Sequence, residues 1–275
     1  MKPVELTFKC KLITPMFMAG ADRKTPELRP SEFKGMMRFW WRAIKAEDNI
    51  KKLKKEEAQI FGGTEEKEGR SKIWIRIKEL KKKTGEYWPL PHKKNFLTNC
   101  YLPDSEFEFN LKINLKIDEE KIVSLVFLSF ILGGFGKRSR RGFGSIQVEN
   151  SKLSISYELI KNLLNKIQNS YEIRNNKIIN LKKGTNYPWI KEIEIGKPCK
   201  DVESLLIKIG KASHNYKDPS LGNANPRMAS PLYVSVIKDE EGFKPIVTTL
   251  NSYFPRSYPK WDFKKQESFK EEILL

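Results

Sequence analysis

Residues 107–148 read FEFNLKINLKIDEEKIVSLVFLSFILGGFGKRSRRGFGSIQV, and this stretch decides the fold. Phe107, Phe109, Leu111, Ile113, Leu115 and Ile117 alternate with polar residues without a miss. That period of two is a half-buried strand. Asp118 follows as a helix N-cap, and Glu119 and Glu120 suit the positive end of the helix dipole. Residues 122–132 are apolar nearly all round, which predicts a buried helix ending at Gly133. Beyond a glycine-rich turn, Ile146 and Val148 suggest a short last strand.

The pattern extends outward in both directions. Val4, Leu6, Phe8, Cys10 and Leu12 alternate with Glu5, Thr7, Lys9 and Lys11, a first strand. After a loop over residues 13–29, Pro30 and Ser31 open a helix over 31–47. A second helical stretch, 51–61, stops at Gly62 and Gly63. Ile73, Ile75 and Ile77 share one face of another strand. The order β-α-β-β-α-β is the ferredoxin-like arrangement, two helices on one face of a four-stranded antiparallel sheet. Further on, Tyr157, Ile160, Leu163, Leu164 and Ile167 fit a helix. Val202, Leu205, Leu206 and Ile209 fit another, capped by Asp201. Residues 232–237 and 243–250 read as strands joined by a turn at 240–242, after a polar loop over 213–230. The Lys/Glu-rich tail after Trp261 reads as peripheral and partly mobile. The expected class is α+β with two ferredoxin-like (βαββαβ, RRM-like) domains. The first, over 1–150, carries the glycine loop; the second, over 151–275, is degenerate.

Composition narrows the chemistry. The chain has 275 residues, 39% of them apolar, with 52 basic and 34 acidic residues giving a formal net charge of +18. An excess of this size favours polyanion partners. Cys10, Cys100 and Cys199 are far apart, odd in number and without CxxC spacing, which argues against a disulfide framework or a zinc ribbon. The alternating N-terminus lacks a signal-peptide core, and the apolar run at 122–132 is too short to cross a bilayer. The expectation is a cytoplasmic protein with no cofactor and no metal.

Two constellations could carry function. The loop over 132–145 holds five glycines, Lys137, Arg138, Arg140 and Arg141, two phenylalanines and no acid. Glycines bring backbone N–H groups close to a ligand, arginines fork onto phosphate oxygens, and exposed phenylalanines stack on bases. Gly133, Gly134 and Gly136 with these four cations therefore read as a polyanion-binding loop. It is not a P-loop, which needs glycine at Ile131 and Ser or Thr at Arg138. It is not a dinucleotide fingerprint either, because GxGxxG from Gly134 fails at Ser139. No aromatic-rich RNP motif lies on a strand. The helix over 31–47 turns Phe33, Met37, Trp40 and Ile44 toward the core. Lys34, Arg38, Trp41, Arg42 and Lys45 fall on the opposite face, a stripe of unmatched cations with one ring for stacking. His92 and His214 read as ordinary loop histidines without a nearby partner. Asp22, one acid among cations, is a weak metal signal.

The segments ITPMFMAGA, LRPSEFKGMMRFWWRA, IFGG and GKRSRRGFGSI together resemble the RAMP superfamily of CRISPR proteins. Within it, the tryptophan-arginine helix and the later RMASPLYVSV are similar to the first-numbered subunits of the type III-B (Cmr) RNA-targeting complex. The sixth-numbered subunits share the loop. The resemblance implies two ferredoxin-like domains and assembly with other Cmr subunits in antiviral defence. It implies single-stranded RNA, CRISPR RNA or its target, bound near the 3′ end of the guide. It also implies no catalysis by this subunit. Lys34, Arg38, Trp41 and Arg42, Gly133, Gly134, Gly136 and residues 137–144 carry over from the matching motifs. Two alternatives stay open: a guide-processing RAMP endonuclease, and a basic enzyme acting on a small phosphorylated substrate.

Overall fold

In the computed structural model, residues 3–65, 68–114, 116–150, 154–182, 187–251, 254 and 258–275 are described. Strand β1 (Val4–Leu12) pairs antiparallel with β5 (Glu106–Ile113), placing Phe8 opposite Phe109 and Cys10 opposite Phe107. Strand β2 (Ile73–Lys81) pairs with the other edge of β5, and β6 (Ile146–Val148) with β1. The sheet order is β2-β5-β1-β6. Its apolar face is covered by α1 (Pro30–Lys45) and α3 (Glu119–Ile131). Phe33 of α1 and Phe130 of α3 meet Phe109 of the sheet at 5.6 and 5.4 Å between ring centres.

Local chemistry sets the ends of these elements. Asp118 accepts the Lys121 N–H at the start of α3, and Ala46 turns left-handed (φ 42°) to end α1. Strand β5 ends at Ile113 because Asn114 forms a turn that accepts the Lys116 and Ile117 amides. Leu115, expected in that strand, lies outside the described residues. Helix α2 (Ile50–Phe61) packs beside α1. A hairpin of β3 (Thr84–Tyr87) and β4 (Thr98–Tyr101) is inserted before β5.

The second half builds a five-stranded antiparallel sheet in the order β10-β11-β9-β8-β7. Helix α4 (Tyr157–Ile167) leads through β7 (Tyr171–Arg174) and β8 (Lys177–Asn180) to β9 (Ile190–Ile195). Helix α5 (Val202–Asn215) precedes the hairpin of β10 (Leu232–Asp239) and β11 (Gly242–Leu250), and α6 (Phe263–Leu274) follows it. Helix α4 packs on α3, while α5 and α6 pack on β11. Buried side chains of both halves join, with Trp40, Phe109 and Leu125 in the same cluster as Ile160, Tyr233 and Ile246.

The tail after Trp261 is not peripheral as expected. In α6, Gln266, Phe269, Lys270 and Ile273 form one buried face. Lys270 Nζ is buried with Glu192, with Glu194 at 3.2 Å and with Glu267 at 3.0 Å. A lysine of the tail expected to be peripheral is thus the polar anchor of a docked helix.

Trp40 is fully buried between Phe39 and Tyr233. Trp40→Ala lowers the unfolding free energy by about 3–5 kcal/mol, measured by denaturant titration. A smaller loss would mean the two halves close over the cavity.

Candidate nucleic-acid interface

The glycine loop follows α3 and is stitched on both sides. It closes on itself through Phe135 N–H to Gly144 O, 3.0 Å. Toward the first half, the amides of Lys137 and Gly144 donate to the Phe17 and Pro15 carbonyls, both at 2.9 Å. Toward the second half, Gly142 N–H donates to Val234 O at 2.9 Å, and Val234 N–H to Arg140 O at 3.3 Å. Gly136 and Gly144 hold φ of +81° and +70°. A Cβ on Gly144 would stand 2.0 Å from the Phe135 carbonyl oxygen, and one on Gly136 2.5 Å from that of Phe17. These glycines, with buried Gly133 and Gly134, admit protein backbone rather than a ligand.

Several expectations for this loop are corrected. Phe135 and Phe143 are each 1% exposed, stacked on Phe33 and tilted against Phe17 at 4.5 and 5.2 Å, so neither ring can stack on a base. The arginines are half-buried, and two of them serve the second half. Arg140 Nη1 donates to Ser230 O, and its guanidinium lies over Phe39 and Tyr233 at 5.4 and 5.2 Å. Arg141 Nη1 donates to the carbonyls of Arg140 (2.8 Å) and Leu232 (3.2 Å), and Nη2 to that of Leu221 (3.2 Å). Burial, and then the nearby Arg138 and Arg140 charges, push Arg141 down to about 9. It stays charged at neutral pH, with carbonyl oxygens in place of water. Lys137 alone among the loop cations is exposed.

The stripe on α1 is matched, not unmatched. Glu57 of α2, 5% exposed, accepts from Arg38 Nε at 2.6 Å and from Arg42 Nη1 at 2.8 Å. Lys45 pairs with Glu56 at 2.9 Å. Trp41 is 5% exposed and belongs to the core, so its place on the solvent face is corrected as well. Lys34 makes no ion pair among the described residues; burial and Arg38 lower its pKa. Loop and helix nevertheless form one surface. Arg140 lies over Phe39, and exposed Gly35 leaves open space on the same helix as Lys34, Arg38 and Arg42. Two arginines sharing one carboxylate leave a net positive charge there.

Asp22 is engaged in a turn: it accepts the amides of Lys24 and Thr25 and the Thr25 hydroxyl, whose bond lowers its pKa to about 2. Among the described residues no three His, Cys, Asp or Glu side chains gather as a metal site. His214 sits in the last turn of α5, not a loop, and its ring lies 6.1 Å from that of His92. Residues so far apart in sequence gave no signal of this approach.

Comparison with known proteins adds the family context. The pattern of the RAMP superfamily matches residues 9–147. The CRISPR system Cmr subunit Cmr1-2 of Pyrococcus furiosus is 32% identical over 181 residues, spanning 53% of this chain and 95% of that protein. Cmr1-1 of the same organism is 34% identical over 157 residues, spanning 50% of this chain and 45% of that protein. The crystal structure of apo Cmr1 from P. furiosus superposes with a TM-score of 0.65 at 19% identity, over 98% of this chain and 96% of that one. A chain from a type III-B Cmr-beta complex bound to cognate target RNA gives 0.62 at 14% identity, over 99% of both. These two likenesses are of fold.

Arg141→Ala leaves buried carbonyls without a donor and costs about 1–3 kcal/mol of stability in denaturant titration. Lys137→Ala, at an exposed tip, costs less than about 0.5 kcal/mol in the same measurement. Equal effects would contradict the division of this loop into an anchor and a tip.

Proposed function

This chain belongs to the RAMP superfamily, and from that premise we propose that it is a non-catalytic RNA-binding subunit of a type III-B CRISPR effector (Cmr) complex. It works beside other Cmr subunits in the cytoplasm and holds single-stranded guide or target RNA near the 3′ end of the guide. One observation carries the reading: Arg140 of the glycine loop lies over Phe39 of α1, the helix that bears Lys34, Arg38, Arg42 and exposed Gly35, and Lys137 adds an exposed cation on the same loop. Phosphates meet cations there, and the partly exposed Phe39, with the Arg140 guanidinium over its ring, takes the stacking role first given to Trp41. The similar Cmr1 proteins and the fold shared with an RNA-bound Cmr complex support it. Among the described residues no helix is long and apolar enough to cross a membrane.

The same reading assigns two ferredoxin-like units, 1–150 and 151–275. The first sheet orders its four strands as second-third-first-fourth in chain order. The run β9-α5-β10-β11-α6 repeats this order up to its last helix. The fourth place in the sheet is filled by β8, which precedes this run in sequence. That displaced strand is what makes the second copy degenerate.

Labelled single-stranded RNA binds with an affinity that falls with salt, at a log–log slope of roughly −0.7 per phosphate contacted. Binding indifferent to salt removes the electrostatic basis of the proposal. Glu57→Gln separates function from scaffold. It keeps the side chain's shape and one accepting oxygen, and replaces the second oxygen that Arg42 Nη1 reaches with an NH2 that cannot accept. It adds one net positive charge beside Arg38 and Arg42, and tightens RNA binding roughly threefold or more. Unchanged binding would leave those arginines a purely structural role. The approach of His92 and His214 favours a second reading, a guide-processing endonuclease. Repeat RNA incubated with the chain stays intact under the first reading and is cut under the second.

A further inference from the structure

Three chain segments converge at the junction of the two halves. His92 comes from the connection between β3 and β4, Arg138 from the glycine loop, and Lys211 and His214 from the end of α5. Gly210 permits the approach of His92 to α5: a Cβ there would stand 2.2 Å from His92 Nδ1. His92 Nδ1 and Arg138 Nε are both buried and have no hydrogen-bond partner among the described residues. An unpartnered Nδ1 facing a glycine favours the tautomer with its proton on Nε2. The Nε2–H is then the donor left for a ligand, even with the ring neutral.

The charges that bear on His92 are all positive: Lys93 on its own segment, His214 and Lys211 on α5, and Arg138 on the loop. Burial first, then these cations, hold its pKa below the usual imidazole value. Glu203, near this segment, is engaged by Lys94 at 3.7 Å. Cations crowded around a half-buried ring without a carboxylate repel one another unless an anion joins them. The C-terminal end of α5 favours cations, so it holds Lys211 and His214 in place while the side chains supply the pull on an anion. The rim is open, since Lys93, Lys211 and His214 are exposed. Phe96 and Leu97 on the His92 connection are 53% and 46% exposed. An exposed aromatic ring on the connection that carries His92 and Lys93 suits a nucleic-acid strand better than a free phosphate ion.

We propose that His92, Arg138, Lys211 and His214 form a second RNA contact, gripping a phosphodiester group of a single strand at the junction of the two halves. The proposal rests on the RNA-binding reading above and gives the strand a second hold beyond α1.

The chain has two histidines, so its imidazole NMR spectrum can be followed directly. The full chain is titrated with a single-stranded oligouridylate, with fluorescence anisotropy reporting binding in parallel. Both imidazole signals move with RNA. Lys211→Ala and His214→Ala, at exposed positions, leave the melting temperature unchanged and weaken binding roughly fivefold each, and Lys211→Ala also reduces the salt slope by roughly 0.7. RNA bound with both imidazole signals fixed overturns this site and leaves the RNA-binding reading standing. Absence of RNA binding overturns both. Signals that move with inorganic phosphate but not with RNA overturn the assignment to a strand.

Discussion

The main chain of the glycine loop must lie between two other main chains, and the rest of the molecule is arranged around that constraint. On one side stand the Pro15 and Phe17 carbonyls, on the other the backbone of β10 at Val234. Side chains across the same seam strengthen it. Ser235 Oγ donates to Ile131 O, Val236 N–H to Ser145 Oγ, and the Tyr233 hydroxyl bonds Ser139. A backbone sandwiched this closely needs positions without Cβ and needs every carbonyl supplied with a donor. The glycines meet the first need, and Arg141 meets much of the second. Its buried charge is costly in isolation, yet three carbonyl oxygens and the face of Phe269 at 5.1 Å receive it. The arginine therefore binds the halves by linking main chain to main chain.

This division of labour changes how the basic charge should be counted. A net +18 creates a long-range attraction for polyanions whichever residues carry it. Close contact is another matter, because a guanidinium already committed to carbonyls or to Glu57 must exchange partners before it meets a phosphate. Arg38 and Arg42 are about two-fifths exposed and share one carboxylate, so they retain capacity. Arg141 already serves three carbonyls. In the proposed function the loop contributes the shape of the surface and Lys137 its exposed charge, while α1 contributes most of the contact.

Much of the architecture was readable from local pattern. Strands β1 and β5 have one wet face, so alternation reports them directly, and Asp118 and Asp201 cap helices as their side chains predict. The errors share a physical cause: they depend on what packs against an element, which periodicity does not encode. Trp41 lies at the flank of α1, where α2 and its neighbours cover it. The partner of Arg38 is Glu57, on a different helix. Helix α6 looks solvated until β9 supplies Glu192 and Glu194 for Lys270. Strands β7 and β8 are four residues each, too short for alternation to stand out. The segments read as a candidate site pack together through Arg140 and Phe39, but Trp41, Phe135, Phe143 and Arg141 turn out to serve packing rather than an open surface. Arginine and phenylalanine in a glycine loop serve a backbone seam as well as a ligand.

The seam also explains how the two sheets end. Strand β10 is the edge of its sheet, and β6 the edge of the other. Open edges invite pairing with another chain. Here the residues from Arg140 to Gly142 take up the backbone of β10 at Val234, and β6 packs beside it. The edges left facing outward, β2 and β7, carry charge instead: Arg76, Lys78 and Lys81 on β2, and the Arg174–Glu172 pair at 2.7 Å on β7. Charged outer edges discourage strand addition, whereas the inner edges are closed by a loop that no bulkier residue could thread. The same glycines that suggest a phosphate cradle thus join two sheets into one body, and the RNA surface proposed on α1 is only as rigid as that joint.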